Sequence, residues 1–336
     1  MKIQDLGEFG LIDRLAKVAH TSQDRSQSSW RNLLVGIGDD AAAWYGDSSI
    51  QLATTDSLIQ DVHFSLDSIS FRDLGWKALA VNLSDIAAMG GVPRYALVTL
   101  ALPSDSEVDD VTALYEGMVE LAQQFGVAIV GGDCSRANIV AVTITVLGNL
   151  RDDKHMLTRY GAEPGDKVAV TGYLGEASAG EEMLREKLEF GPEATAHLKE
   201  AFLRPYPRIA EGQLLVESGV KTAIDISDGL ISDLNHVCQR SGVQAQIEVD
   251  RVPISPLVKD NFANKSLELA LAGGEDYELL FTAKAEVIDR IKKAAPCPIT
   301  VIGEITTKGK GKLSLVNSQG NPFNLSSSGW EHFRTK

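Results

Sequence analysis

Two short apolar runs, residues 33–37 and 50–53, each lead into acid: Asp39 and Asp40 follow the first, Asp56 follows the second. Apolar runs of this length bounded by turn residues read as buried strands, so their acidic ends are expected at one edge of a sheet. Two carboxylates about 4 Å apart repel by roughly 4 kcal/mol at an effective dielectric near 20, which leaves protonation or a shared cation. A cation is the expectation here. Gly36-Ile-Gly38-Asp-Asp-Ala41 also fits the dinucleotide-binding pattern, with Asp56 near the ribose position. The spacing excludes it. A Rossmann crossover needs a helix of a dozen or more residues, and residues 41–49 offer a hairpin-length link with a Gly46-Asp47-Ser48 turn.

The same device recurs along the chain. A helix expected over residues 67–89 carries Asn82, Asp85 and Met89 on one face beside Ala78 and Val81, so Asp85 is a carboxylate on a core-facing stripe. A strand over 127–130 is expected to turn at Gly131-Gly132-Asp133, with a helix over 107–125 before it and a strand over 139–147 after. The charged, glycine- and proline-bearing stretch 151–166 marks a domain boundary, dividing the chain into 1–150 and 151–336 and leaving Arg159 near the junction. In the second half Asp225-Ile-Ser227-Asp228-Gly229 bridges a strand and a helix over 230–240, placing two carboxylates and a hydroxyl near a helix N-terminus. An EF-hand fails there on spacing: position twelve is His236, where a bidentate Glu is required. A helix over 266–272 then leads through Gly273-Gly-Glu275-Asp-Tyr277 into a strand over 278–283. Both halves thus alternate strands and helices and both carry Gly-Gly-acid, as two α/β (α+β) domains of related design would.

At 336 residues two domains are the prior, and 44% hydrophobic with 23% charged residues is ordinary for a globular protein. The net charge of −14 argues against nucleic acid and anionic membranes as partners. No run approaches the 18 apolar residues of a membrane span, the first ten residues lack a secretion signal, and three scattered cysteines fit a reducing compartment, so a cytoplasmic location is expected. No Walker A loop or kinase-type glycine loop occurs, so a nucleotide's phosphates would have to be held through metals. Oxygen ligands from Asp and Thr select hard cations such as Mg²⁺.

The stretches GIGDDAA, TTDSL with VHF, KALAVNLSDIAAMGG, GGD, LTRYGAEPGD, DISDGLISDL and GGEDYELLFT resemble, in order, the motifs of the thiamine-monophosphate kinase family, part of a superfamily with aminoimidazole ribonucleotide synthetase and selenophosphate synthetase. The resemblance implies a two-domain fold of that superfamily, with mixed sheets and helices on one face of each. It implies an N-terminal domain for ATP, metal and dimerisation, a C-terminal domain completing the active site, and a homodimer. The activity it implies is ATP-dependent phosphorylation of thiamine monophosphate to thiamine diphosphate, with several Mg²⁺ ions. A related synthetase or a metal-dependent phosphohydrolase is the alternative.

Carried over by motif, Asp40, Thr54, Thr55, Asp56, Asp85, Asp133, Asp225 and Asp228 match metal positions. Gly132, Asp133, Arg159 and Ser227 match ATP contacts, and His63, Glu275 and Trp330 match contacts to thiamine monophosphate. Asp56 and Asp228 are expected to be catalytic. The chain departs from the family pattern at Gln60-Asp61, where Glu-Gly is usual, and at Cys134, where Thr is usual.

Overall fold

The structure is a computed structural model that describes the whole chain except residues 22, 23, 25, 36–42, 47, 48, 151–155, 309–311, 324 and 326–336. It divides into two compact units: Met1–Ile86 with Val92–Asp153, and Ala87–Gly91 with Lys154–Lys336.

The first unit runs α1 (Ile3–His20), α2 (Ser28–Asn32), β1 (Leu33–Val35), β2 (Ala43–Trp44), β3 (Gln51–Ile59), α3 (Phe71–Ala88), β4 (Val92–Leu102), α4 (Val108–Phe125), β5 (Ala128–Arg136) and β6 (Ala141–Asn149). Its sheet has the order β3-β6-β4-β5, antiparallel except for the β4/β5 pair. Alternation along β6 buries Val142, Ile144 and Val146 on one face. The opposite face carries Thr55, Thr143, Thr145 and Ser57, linked by hydroxyl contacts of 3.0 Å (Thr145 to Thr55) and 2.7 Å (Ser57 with Thr143). One end of that face is capped by a small cluster of Trp30, Tyr95, Ala128 and Val130 with Trp44, whose ring lies 4.6 Å from that of Tyr95.

Two expectations are corrected. Residues 33–35 pair with β2, and residues 51–59 pair with β6, so the two apolar runs do not form one hairpin. Asp56 therefore stands within β3, not beyond its end. The strand continues because it is an edge strand: Thr55 and Ser57 lie on the hydroxyl-bearing face and Asp56 on the opposite one with Thr54, and all of Thr55, Asp56 and Ser57 remain exposed. Likewise Gly131, Gly132 and Asp133 are not a turn. β5 runs on through Arg136, with an irregularity in register after Ile129.

Helices α3 and α4 cross closely because each offers a glycine to the other's backbone. A Cβ on Gly75 would lie 1.8 Å from the Leu114 carbonyl oxygen, and one on Gly117 would lie 1.9 Å from that of Arg72. The crossing brings Leu79, Leu83, Leu114, Met118 and Leu121 to essentially full burial.

The second unit comprises β7 (Lys167–Thr171), α5 (Glu176–Glu186), α6 (Pro192–Leu203), α7 (Ile209–Glu217), β8 (Thr222–Asp225), α8 (Leu230–Ser241), β9 (Val243–Glu248), α9 (Pro256–Asn261), α10 (Ser266–Ala272), β10 (Leu279–Ala283), α11 (Ala285–Ala294), β11 (Ile299–Lys308) and β12 (Lys312–Val316). The sheet order is β12-β9-β11-β7-β10-β8, and only β9/β12 is parallel. Val168, Val170, Ile224, Leu280 and Ile302 pack with Leu230, Leu234 and Val237 of α8 in the main core. All five residues of β10, between β7 and β8, are buried.

Beside β10, the Arg208 guanidinium donates to both oxygens of buried Glu278, Nε to Oε2 at 2.7 Å and Nη2 to Oε1 at 2.5 Å, and Thr171 donates to the same carboxylate. The pair is bidentate and its lone pairs are shared with a third donor, the arrangement in which a buried ion pair is tolerated.

Gly75→Ala and Gly117→Ala are each expected to destabilise the protein by about 1–3 kcal/mol through overpacking of the α3/α4 crossing. Denaturant unfolding followed by circular dichroism measures this, and an unchanged midpoint in both variants would contradict the crossing.

Candidate active site

In the first unit, β3 and α3 bring three of the expected residues together. The Thr54 hydroxyl donates to Asp85 Oδ2 at 2.5 Å, and Asp56, two residues along β3, lies on the same face as Thr54. Asp85 thus sits in the last turns of α3, half-buried at the edge of the helical layer. Beside it Asn82 is fully buried; its amide donates to the Ala78 carbonyl at 3.0 Å, while its Oδ1 has no hydrogen-bond partner. Thr55 does not join this group through its hydroxyl, which donates to the Ile144 carbonyl at 3.1 Å on the opposite face.

Nor does Asp133. The sheet register pairs Asp56 with Ile144, Ile144 with Val98 and Val98 with Gly132, whereas Asp133 pairs with Thr99 on the next rung. The pleat places Asp133 on the threonine face and three strand spacings, about 14 Å, from the position of Asp56. Gly132 is required by close approach: a Cβ there would lie 1.8 Å from the Val98 carbonyl oxygen.

Beyond β3, the chain turns through Gln60 and Asp61 to His63. Asp61 adopts φ 63°, the left-handed region that glycine enters freely and aspartate tolerates. The turn closes by Asp61 N–H to the Phe64 carbonyl at 2.8 Å, and Gln60 Oε1 accepts the Val140 N–H at 3.1 Å. His63 Nδ1 accepts the Ile59 N–H at 3.1 Å, which fixes a neutral ring with its proton on Nε2.

In the second unit, β8 ends at Asp225, which is 3% exposed, and the turn Ile226-Ser227-Asp228 leads to α8. The loop of residues 273–277 is hydrogen-bonded along this turn: Glu275 N–H donates to the Ser227 carbonyl at 2.8 Å and Tyr277 N–H to that of Ile226 at 2.9 Å. Glu275 and Tyr277 hold φ 68° and 49°, left-handed conformations at non-glycine residues. Between them the Asp276 carboxylate caps α5 by accepting the Gly175 N–H at 2.8 Å and the Ala177 N–H at 3.3 Å. Burial pushes the Asp276 carboxyl well above the usual range, and the two N–H donors oppose that shift.

Sequence reasoning missed Asp233. It is 2% exposed, and its Oδ2 accepts the N–H groups of both Ser227 and Asp228 at 3.1 Å. Ligand atoms of Asp228, Asp233 and His236 lie within 4.8 Å of one another. Burial, then the neighbouring Asp225 and Asp228 carboxylates, pushes Asp233 up to about 8. The signal was present in the sequence, because Asp233 lies on the apolar stripe of Leu230, Leu234 and Val237, the same anomaly that marked Asp85.

Arg159 is exposed on a bend next to Thr158, which bridges to Thr222 at the start of β8, whereas Ser227 follows the end of that strand. Asp40 and Trp330 lie outside the described residues. Among the residues described, the proposed ligands offer only carboxylate and hydroxyl oxygens, a donor set that fits a hard divalent cation such as Mg²⁺.

The family models of the AIR synthase related proteins match this chain twice, the N-terminal domain over residues 38–150 and the C-terminal domain over residues 163–316. Thiamine-monophosphate kinase of Bacillus subtilis is 38% identical over 98% of this chain and 100% of its own length. The crystal structure of thiamine-monophosphate kinase from Stenotrophomonas maltophilia K279a superposes with a TM-score of 0.81 at 33% identity, covering 94% of this chain and 98% of that one. The structure of AaThiL complexed with AMPPCP and TMP superposes with a TM-score of 0.76 at 34% identity, covering 99% of each chain. By family models that together span most of its length and by end-to-end identity with these kinases, the chain belongs to the thiamine-monophosphate kinase family of AIR synthase related proteins.

Proposed function

We propose that the protein transfers the terminal phosphoryl group of ATP to thiamine monophosphate, giving thiamine diphosphate and ADP. The observation that carries this reading is the match, over 99% of both chains, to a kinase whose solved complex holds an ATP analogue together with TMP. The acid clusters described above support it. The first unit is assigned as the ATP, metal and dimerisation domain (1–150), and the second (151–336) as the domain that completes the active site, in a cytoplasmic enzyme. Among the described residues no helix is long and apolar enough to cross a membrane.

The acceptor is a phosphate monoester carrying about −1.5 to −2 charge at neutral pH, so it reaches the site already deprotonated and needs no general base. The task left to the protein is in-line positioning and charge neutralisation. Asp40, Thr54, Thr55, Asp56, Asp85, Asp133, Asp225 and Asp228 are assigned to hold Mg²⁺. When bound, several such ions supply the positive charge that offsets a triphosphate, a monoester and the aspartates together. Thr55, whose hydroxyl is engaged on the far face, would contribute through its backbone.

Asp56 and Asp228 are assigned the catalytic roles, as the more exposed carboxylates of the two clusters. Gly132, Asp133, Arg159 and Ser227 are assigned to the nucleotide; the length of β8 between Arg159 and Ser227 suits an extended molecule, as does the separation of Asp133 from Asp56. His63, whose Nδ1 accepts the Ile59 N–H, is assigned to the thiamine phosphate as a donor through Nε2. Glu275 and Trp330 are assigned to the same substrate, Trp330 by stacking on the cationic thiazolium.

The threonine face of the first sheet is assigned to a second copy of this chain. It is half-exposed, nearly uncharged and continuous across β3, β6 and β4.

Mg-ATP offered with thiamine, thiamine monophosphate or aminoimidazole precursors, with products read by mass, tests the activity. ADP is expected only with thiamine monophosphate, and phosphate release without acceptor would indicate a hydrolase. Asp56→Asn and Asp228→Asn are each expected to lower turnover about 100-fold or more, and retained turnover would remove the role of that residue. Light scattering is expected to give twice the chain mass of 36.2 kDa, and Thr145→Asp to give the monomer. A monomeric wild type would overturn the assembly.

A further inference from the structure

We propose that Asp233 is a positioning residue for the turn carrying Ser227 and Asp228, acting as a hydrogen-bond acceptor and not as a metal ligand. The inference rests on the proposed kinase reading, because that reading is what gives Ser227 and Asp228 their roles.

The turn is fastened on one side by the loop of residues 273–277. Ser227 and Ile226 present their carbonyl oxygens to Glu275 and Tyr277, and the Ile226 N–H donates to the Glu278 carbonyl at 2.8 Å. These bonds hold the carbonyl side of the turn. On the other side two consecutive N–H groups, those of Ser227 and Asp228, point toward α8, where both reach a single atom, Asp233 Oδ2, at 3.1 Å. Two donors converging on one oxygen fix the dihedrals of both residues at once, and with them the direction in which the Asp228 carboxylate leaves the backbone. Asp233 is itself fixed, since its N–H donates to the Gly229 carbonyl at 3.0 Å in the first turn of α8 and its side chain is 2% exposed.

The proximity of Asp228, Asp233 and His236 suggests the competing role of a ligand trio. The hydrogen bonds argue otherwise. Both acceptor sites of Oδ2 are occupied by backbone donors, the residue is 2% exposed, and His236 is exposed.

Asn keeps one side-chain oxygen able to accept both N–H groups but replaces the second carboxyl oxygen with an amide nitrogen, and Ala removes the acceptor. Wild type, Asp233→Asn and Asp233→Ala are compared in turnover, in KM for Mg-ATP and, without nucleotide, in Mn²⁺ affinity by electron paramagnetic resonance. Asp233→Asn is expected within about 3-fold of wild type in turnover and Mn²⁺ affinity, while Asp233→Ala loses about 10-fold or more in both, the equivalent of one or two hydrogen bonds. Equal impairment of Asn and Ala would make Asp233 a ligand and overturn the proposal. An Ala variant with wild-type turnover and Mn²⁺ affinity, destabilised or not, would reduce Asp233 to a structural cap and overturn it too. If Asp233→Ala does not fold, Asp233→Asn decides alone: near-wild-type values support the proposal and impaired values overturn it. If wild type makes no ADP with thiamine monophosphate, the kinase reading falls, yet the Mn²⁺ ranking of the three proteins still tests the positioning role.

Discussion

Asp228 and Asp233 hold carboxylate oxygens within 4.8 Å of each other, with Asp225 close enough to raise the proton affinity of Asp233. At that separation two ionised carboxylates repel by about 3–4 kcal/mol at an effective dielectric of 20. A fold does not gather such charge without something to offset it. Part of the offset is visible: the two N–H groups on Asp233 and the N-terminus of α8 behind the turn. Protonation of Asp233, whose carboxyl is pushed up to about 8, relieves more of it near neutral pH, and under the proposed kinase reading a divalent cation would offset the rest. The rest of the second unit serves this junction. β10 flanks β8, the loop of residues 273–277 is laid along the turn, and the Asp276 cap ties that loop to α5.

The first unit solves a related problem differently. Its carboxylates come from a helix and an edge strand instead of one turn, and Thr54 is the link, its hydroxyl shared with Asp85. The edge position of β3 matters, because a central strand would bury Asp56, whereas here the residue remains exposed. The close crossing of α3 and α4 sets where the last turns of α3 fall relative to β3, so the glycine pair in the core is tied to the position of Asp85.

Much of this was legible in the residues. The acids stood out because each followed an apolar run or interrupted an apolar stripe, and the order of motifs pointed to one family. The extent of β3 and β5 was not legible, because Thr54 to Ser57 and Gly131 to Arg136 are polar or glycine-rich and read as loop until the neighbouring strand supplies the hydrogen bonds. The alternation of Val243, Ala245 and Ile247 in β9, directly after the helix stop at Ser241-Gly242, is readable as a period of two. Asp233 escaped because its partners are backbone N–H groups, which no side-chain pattern announces. That Asp133 lies on the other face from Asp56 could not be read at all, since the register irregularity in β5 that sets its face has no sequence mark.

The central claim is that acidic side chains, working through divalent cations, do the phosphate-holding that a lysine-bearing loop does elsewhere. Isothermal titration of AMPPCP into the protein, with Mg²⁺ and again with excess EDTA, tests this most directly. The account predicts saturable binding with Mg²⁺ that disappears in EDTA. Equal affinity in the two conditions would mean that the phosphates are gripped by the protein itself, and would contradict it.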